Sequence, residues 1–289
     1  MIQKLLNIDC MKKNFLLVCV LLNISRLLAQ TDTVYLWPNA VPGETKPKAK
    51  PVITTFDDGI TRTIEENNPF FAVFQPKEFQ RNGKAIIITP GGGYVRVATV
   101  KEGYATASWL IELGYTVFVL QYRVPDKRAA ALQDIQRTIK LVRSNAKKYR
   151  IDPNKIAAMG FSAGAHLVAL AGMGKNEQTY DTYDQNDSVS SRPNRMIIIY
   201  PGYLDGGPNR TLGSEFTVSK ETVPTFIFQT MDDNGAQNSF ALAQALKNAG
   251  SSVELHMTPV GGHGYSLYKG NKAAEAWPKY LELWLKDFM

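Results

Sequence analysis

Gly160-Phe161-Ser162-Ala163-Gly164 holds the clearest chemistry in this sequence. The pentapeptide follows the apolar run Ile156 to Met159 and precedes Ala165, Leu167 and Leu170. That pattern predicts a strand, a tight turn and a helix, with the serine hydroxyl lifted clear of the backbone at the turn. Chance gives about 0.1 such pentapeptide in a chain of this size, so the flanking pattern carries the weight. A hydroxyl becomes a nucleophile only when a base takes its proton. The chain has 3 histidines. His166 falls on the helix that the serine opens, and His256 lies within a strand-like run, so both read as packing residues. His263 stands in Gly261-Gly262-His263-Gly264, past the last strand-like run and before the final helix. Its glycines leave an imidazole free to reach the serine, which makes His263 the expected general base.

An imidazole in that role needs a carboxylate to orient it and to stabilise its protonated form. In a fold of this kind the acid stands between serine and histidine in the chain. Asp232 and Asp233 end the strand-like run Thr225 to Gln229. Asp233 is the first candidate and Asp232 the second, with Asp205 a third choice. The developing oxyanion needs donors. Pro90-Gly91-Gly92-Gly93-Tyr94 follows the run Ala85 to Thr89, and the N–H groups of Gly92, Gly93 and Ala163 are the expected hole. The Lys-Ser/Thr ending of a phosphate loop is absent there. Tyr94 and Tyr265 adjoin the site loops as candidates for a substrate pocket or for packing. The chemistry requires no cofactor and no metal.

The elements that must position these groups alternate along the chain. Strand patterns at Phe70 to Phe74, Ala85 to Thr89, Tyr115 to Gln121, Ile156 to Met159, Met196 to Tyr200, Thr225 to Gln229 and Val253 to Met257 are interleaved with helical ones. Helical spacing is found at Glu102 to Leu113, Ala129 to Tyr149, Ala165 to Ala171, Gln237 to Asn248 and Ala273 to Phe288. This alternation predicts a single α/β domain over residues 31–289, with a mostly parallel central sheet covered by helices on both faces. Residues 31–55, with Pro38, Pro42, Pro47 and Pro51, read as an extended arm over its surface. The polar stretch Lys175 to Asn194 reads as a solvated loop. Its Asp181, Asp184 and Asp187 lack the glycine and closing glutamate of a calcium loop.

The bulk properties narrow the function further. Of 289 residues 44% are hydrophobic, enough for one sizeable core. The formal charge is +7, but setting aside the first 30 residues leaves 29 basic against 25 acidic groups. No basic run interleaved with aromatics remains, which argues against a nucleic-acid partner. Lys12 and Lys13, the apolar stretch Phe15 to Leu22 and the site after Leu27-Leu28-Ala29 predict an export signal over residues 1–30, with Met11 as an alternative start. The stretch is too short to span a membrane. The expected location is therefore secreted or periplasmic, without stable membrane insertion once the leader is removed. Cys10 and Cys19, the 2 cysteines of the chain, both fall in this leader. A mature chain of this kind has no disulfide and no thiol nucleophile. Val18 stands where a lipid-attachment site needs a small residue. No feature speaks to oligomeric state.

Taken in order, Trp37-Pro38 with Pro42-Gly43, Pro90 to Tyr94, Tyr122-Arg123, Gly160 to Gly164, Ser191-Arg192-Pro193, Tyr200-Pro201, Asp232-Asp233 and Gly261 to Tyr265 form a set. Over residues 34 to 289 it resembles the α/β-hydrolases of the bacterial acetyl xylan esterase and feruloyl esterase-like group, often xylanase-associated. The resemblance implies a secreted serine esterase that removes acetyl or feruloyl groups from plant polysaccharide or oligosaccharide, making an ester-bearing carbohydrate the expected partner. Two departures from the group's pattern stand out. The segment Asn234 to Ser239 after the acidic pair is short, and Gln229 stands where a histidine is common. Two other classes fit the same residues: a serine peptidase of the prolyl-oligopeptidase type, though no propeller domain is present, and a non-catalytic carbohydrate-binding protein.

Overall fold

The computed structural model describes residues 30–288. The expected leader, apart from Gln30, lies outside the described residues. Strand β1 (Gln30–Tyr35) is followed by a hairpin of β2 (Val52–Thr55) and β3 (Thr61–Glu65). Then come β4 (Phe70–Phe74), β5 (Ala85–Thr89), β6 (Thr116–Gln121), β7 (Ile156–Phe161), β8 (Arg195–Ile199), β9 (Thr225–Thr230) and β10 (Val253–Thr258). Apart from the hairpin, these strands lie side by side in one sheet in the order β1-β4-β6-β5-β7-β8-β9-β10. The β1–β4 and β4–β6 pairs are antiparallel, and every pair from β6 to β10 is parallel.

The central strands read as unbroken apolar runs because both faces of the sheet are covered. Ile87, Ala158 and Ile198 pack with Ile135 and Ile139 of α2 (Arg128–Ser144), Leu167 of α4 (Ala163–Met173) and Leu242 of α5 (Ala236–Ala249). Their neighbours Ile86, Ile88, Met159 and Ile197 face the other way, onto Leu110 of α1 (Ala105–Glu112) and Trp277 and Leu281 of α6 (Lys272–Lys286). Alternate residues thus serve opposite layers. Each fully buried aliphatic side chain contributes about 1.5–3 kcal/mol relative to exposure.

The structure corrects the sequence reading in four places. Residues 31–55 are a surface arm only in part: β1 pairs with β4, and Leu36, Trp37 and Val41 are buried, whereas residues 45–50 run exposed to the β2–β3 hairpin. Trp37 Nε1 donates to Asp134 Oδ1 at 3.0 Å, and the same buried carboxylate receives Arg123 Nη2 at 2.8 Å. The helix expected from Glu102 begins instead as a wider π-helical turn (Thr99–Tyr104), which leads into α1. The long helix expected to Tyr149 breaks at Asn145 into α2 and the single turn α3 (Ala146–Tyr149). The 175–194 stretch is tied to the core rather than simply solvated, because Asp184 and Asp187 both accept hydrogen bonds from the buried Arg137.

Parallel strands place their C-terminal ends along one edge of the sheet, where ligand-binding loops gather. The glycine loop follows β5, Ser162 follows β7, Asp232 and Asp233 follow β9, and His263 follows β10. This topology brings residues over a hundred positions apart to one place.

Candidate active site

Ser162 has φ 52° and ψ −118°, a sharp turn between β7 and α4 that few non-glycine residues adopt. Close packing on both sides enforces it. A Cβ on Gly160 would stand 2.3 Å from the Gly164 carbonyl oxygen, and one on Gly164 would stand 2.0 Å from that of Thr89. Both positions must therefore be glycine for β5, β7 and α4 to meet. Ser162 N–H donates to the Ile199 carbonyl at 3.0 Å, fixing the turn to the end of β8.

The histidine and the acid converge on this serine. His263 Nε2 lies 2.8 Å from Ser162 Oγ, and its Nδ1 lies 2.6 Å from Asp233 Oδ2. An ionised carboxylate only accepts, so Nδ1 carries the proton and leaves Nε2 free to accept from the serine. Burial pushes the Asp233 carboxyl up, but the bonds from His263 and the Gly235 N–H outweigh it and hold the group below the usual carboxylate range. The short segment after the acidic pair contributes here, since it brings Gly235 N within 2.8 Å of Asp233 Oδ1. Asp232 has a different place. Its oxygens accept the N–H groups of Gly261 and Gly262 at 3.1 and 2.9 Å, bracing the histidine loop from behind. Asp205 pairs with Arg210 and His256 stacks on Tyr280, so neither joins the site.

The glycine loop supplies the opposite wall. Gly92 has φ 138°, and a Cβ there would run into the Arg96 carbonyl at 2.0 Å. The Gly92 carbonyl is used within the loop, accepting from Val95 and Arg96, whereas the N–H groups of Gly92 and Gly93 take no part in its hydrogen bonds. Gly92, Gly93, Ser162 and His263 together line a cleft of about 620 Å³. Ala163 N is the first backbone donor of α4, at a helix end that favours negative charge.

Tyr94 and Tyr265 do not line this cleft. Both are buried: Tyr94 hydrogen-bonds His166 Nδ1 at 2.7 Å, and Tyr265 packs edge-on against Tyr200. Packing is the role this geometry gives them. The expected placing of His166 beside the turn agrees with the structure, where burial lowers its pKa to about 4.

Three residues of the site receive no role from sequence reasoning, although Tyr200 belongs to the Tyr200-Pro201 pair of the ordered set. Glu102 is buried at the root of the glycine loop, with Oε2 accepting Gly91 N–H at 2.5 Å and Oε1 accepting Tyr200 O–H at 3.0 Å. Burial raises its pKa, and those two donors pull the other way. Tyr200 accepts Ser266 N–H at 3.2 Å and sets its ring edge-on to His263, with centroids 5.1 Å apart. Glu102 and Tyr200 thereby join the glycine loop to the histidine loop. Tyr203, the third, lines the cleft itself. The β2–β3 hairpin, whose Asp58 and Arg62 also line the cleft, has a signal in Asp58-Gly59 between two β-rich runs.

Comparison with known proteins agrees with this architecture. The BD-FAE family model matches residues 71–200. An acetylxylan esterase of Xylanibacter ruminicola is 30% identical over 232 residues, which are 71% of this chain and 44% of that protein. Endo-1,4-beta-xylanase B of Butyrivibrio fibrisolvens is 29% identical over 222 residues, 68% of this chain and 34% of that protein. The chain thus matches less than half the length of these curated relatives. A crystal structure of an acetyl ester-xyloside bifunctional hydrolase from Caldicellulosiruptor lactoaceticus superposes with a TM-score of 0.72 at 32% identity, covering 90% of this chain and 97% of that one. The chain belongs to the α/β-hydrolase family of BD-FAE and acetylxylan esterase-like proteins.

Proposed function

We propose that this protein is a serine esterase that removes acetyl groups from plant polysaccharide or oligosaccharide outside the cytoplasm, through an acyl-enzyme. The observation that carries the reading is the unbroken chain Asp233–His263–Ser162, at 2.6 and 2.8 Å, opening on a cleft. His263 Nε2 takes the serine proton as Oγ attacks the ester carbonyl. Asp233 stabilises the imidazolium that forms, and the N–H groups of Gly92, Gly93 and Ala163 receive the oxyanion. His263 returns the proton to the departing alcohol. Water then repeats the attack on the acyl-serine, with His263 again as base, and free acid leaves.

The substrate class rests on the named relatives and on the cleft's polar lining, which includes Asp58, Arg62 and Lys101. Export rests on the leader pattern with Lys12, Lys13 and Phe15 to Leu22. An ester panel of acetylated xylan, methyl ferulate, aryl acetates and an amide substrate tests the activity. Release of acetate from xylan and turnover of aryl acetates are expected. Amide cleavage without ester turnover would overturn the reading. Amino-terminal sequencing of protein recovered outside the cytoplasm tests export, with a chain starting near Gln30 expected and retention in the cytoplasm contradicting it.

A further inference from the structure

Tyr203 is an exposed aromatic ring that the hydrolytic chemistry does not use. It stands in the loop after β8, lines the cleft with Ser162 and His263, and is 42% exposed. Its backbone sits at φ 60°, the left-handed region that non-glycine residues seldom occupy. The surroundings hold it there. The Arg128 guanidinium lies 4.2 Å from the ring centroid, and the rings of Tyr94 and His166 approach to 6.0 and 5.8 Å. His166 is itself fixed by the Tyr94 hydroxyl at 2.7 Å. The Tyr203 hydroxyl reaches to within 3.7 Å of where a Cβ on Gly93 would stand, so the ring borders the glycine loop.

Scattered exposed aromatics are ordinary. A strained one, held by a cation over its face and by two neighbouring rings that do not line the cleft, and set beside a nucleophile, calls for a ligand. The face of a tyrosine ring is electron-rich. A pyranose presents the complementary surface, since its axial C–H bonds form an apolar, weakly positive face while its hydroxyls radiate around the rim. The cleft has polar groups for those hydroxyls in Asp58, Arg62 and Lys101. Because the ring is ordered before the ligand arrives, stacking sacrifices little rotamer freedom.

We propose that Tyr203 is the stacking platform for a pyranose ring on the alcohol side of the scissile ester. The proposal rests on the saccharide reading above, and its test does not depend on turnover. Calorimetric titration of acetylated xylo-oligosaccharide into the Ser162→Ala protein measures binding alone. Adding Tyr203→Phe keeps the ring face, Tyr203→Leu keeps bulk without a π-face, and Tyr203→Gly suits the left-handed backbone and so preserves the fold. Tyr203→Phe is expected to bind within about two-fold of the parent, and Tyr203→Leu and Tyr203→Gly at least about ten-fold more weakly. Equal affinity in all four proteins, equal affinity for Leu and Phe, or no saccharide binding by the parent would each overturn the platform. Failure of the esterase reading would show separately, as absence of aryl acetate turnover in the unmodified protein.

Discussion

Glu102 Oε2 receives the Gly91 N–H at 2.5 Å, and this one contact sets the direction of the loop that carries Gly92 and Gly93. With the Gly91 donor turned inward to the carboxylate, the next two are left for the cleft. Glu102→Gln offers one acceptor where two donors, from Gly91 and Tyr200, are waiting. We expect kcat on an aryl acetate to fall about ten-fold with KM changed less than about three-fold, since the donors act on the transition state. Steady-state kinetics check this. A pure KM effect would mean that Glu102 shapes only the cleft wall.

The two adjacent aspartates have separable roles. Asp233→Asn offers Nδ1 an amide in place of the charge that supports the imidazolium, and kcat is expected to drop by roughly 10³–10⁴-fold. Asp232→Asn loosens the bonds to Gly261 and Gly262 without touching the imidazole, so a loss under about ten-fold is expected. Parallel kinetics of the two variants decide the matter, and a reversed ranking would contradict the assignment.

Gly92→Ala places a Cβ against the Arg96 carbonyl at φ 138°. The loop must shift to accept it, and the proposed oxyanion donors move with it. A loss in kcat of at least about 100-fold is expected, the scale of a missing oxyanion donor. Fluorophosphonate labelling of Ser162 should slow in step, because its transition state uses the same donors.

Two buried groups away from the chemistry oppose each other in pH. Burial pushes Glu66 up from 4.5 to about 7, and its Oε2 has no hydrogen-bond partner among the described residues. Folded protein therefore holds an extra proton between these values, and stability falls as pH rises through them. Burial lowers His166 from 6.5 to about 4, so the unfolded chain binds the extra proton there and stability falls as pH drops. The two slopes cancel over much of the range between pH 4.5 and 6.5. Glu66→Gln removes the first alone. It should be more stable than the parent at pH 8, by up to about 3 kcal/mol, and should lose stability on acidification below pH 6.5. Urea unfolding at pH 5 and pH 8 reads both effects. An unchanged difference between the two pH values would contradict the assignment.

The proposed nucleophile and base are legible in the sequence because each carries a local signature. Ser162 lies between two obligatory glycines, and His263 stands apart from the other two histidines by its surroundings. Both aspartates reach the loop after β10, and the choice between them is a matter of which one meets the imidazole rather than the backbone, to which neighbouring positions give no local clue. Glu102 reads as an ordinary helix-opening acid, since its partners Gly91 and Tyr200 meet it only through sheet packing. Tyr203 is one of 13 tyrosines and shows itself only by its φ and by Arg128. The parallel strands are legible from their apolar runs. By contrast, β1 is an antiparallel edge strand beside a proline-rich segment, where period-2 patterning is weakest.

The central claim is that the hydroxyl of Ser162 becomes the acyl carrier. Mass spectrometry of the protein after brief reaction with a fluorophosphonate, alongside aryl acetate turnover, tests it most directly. One adduct is expected, mapped to Ser162, with loss of turnover in proportion to labelling, and neither adduct nor turnover above background in Ser162→Ala. Full esterase activity in Ser162→Ala, or an adduct on another residue, would contradict it.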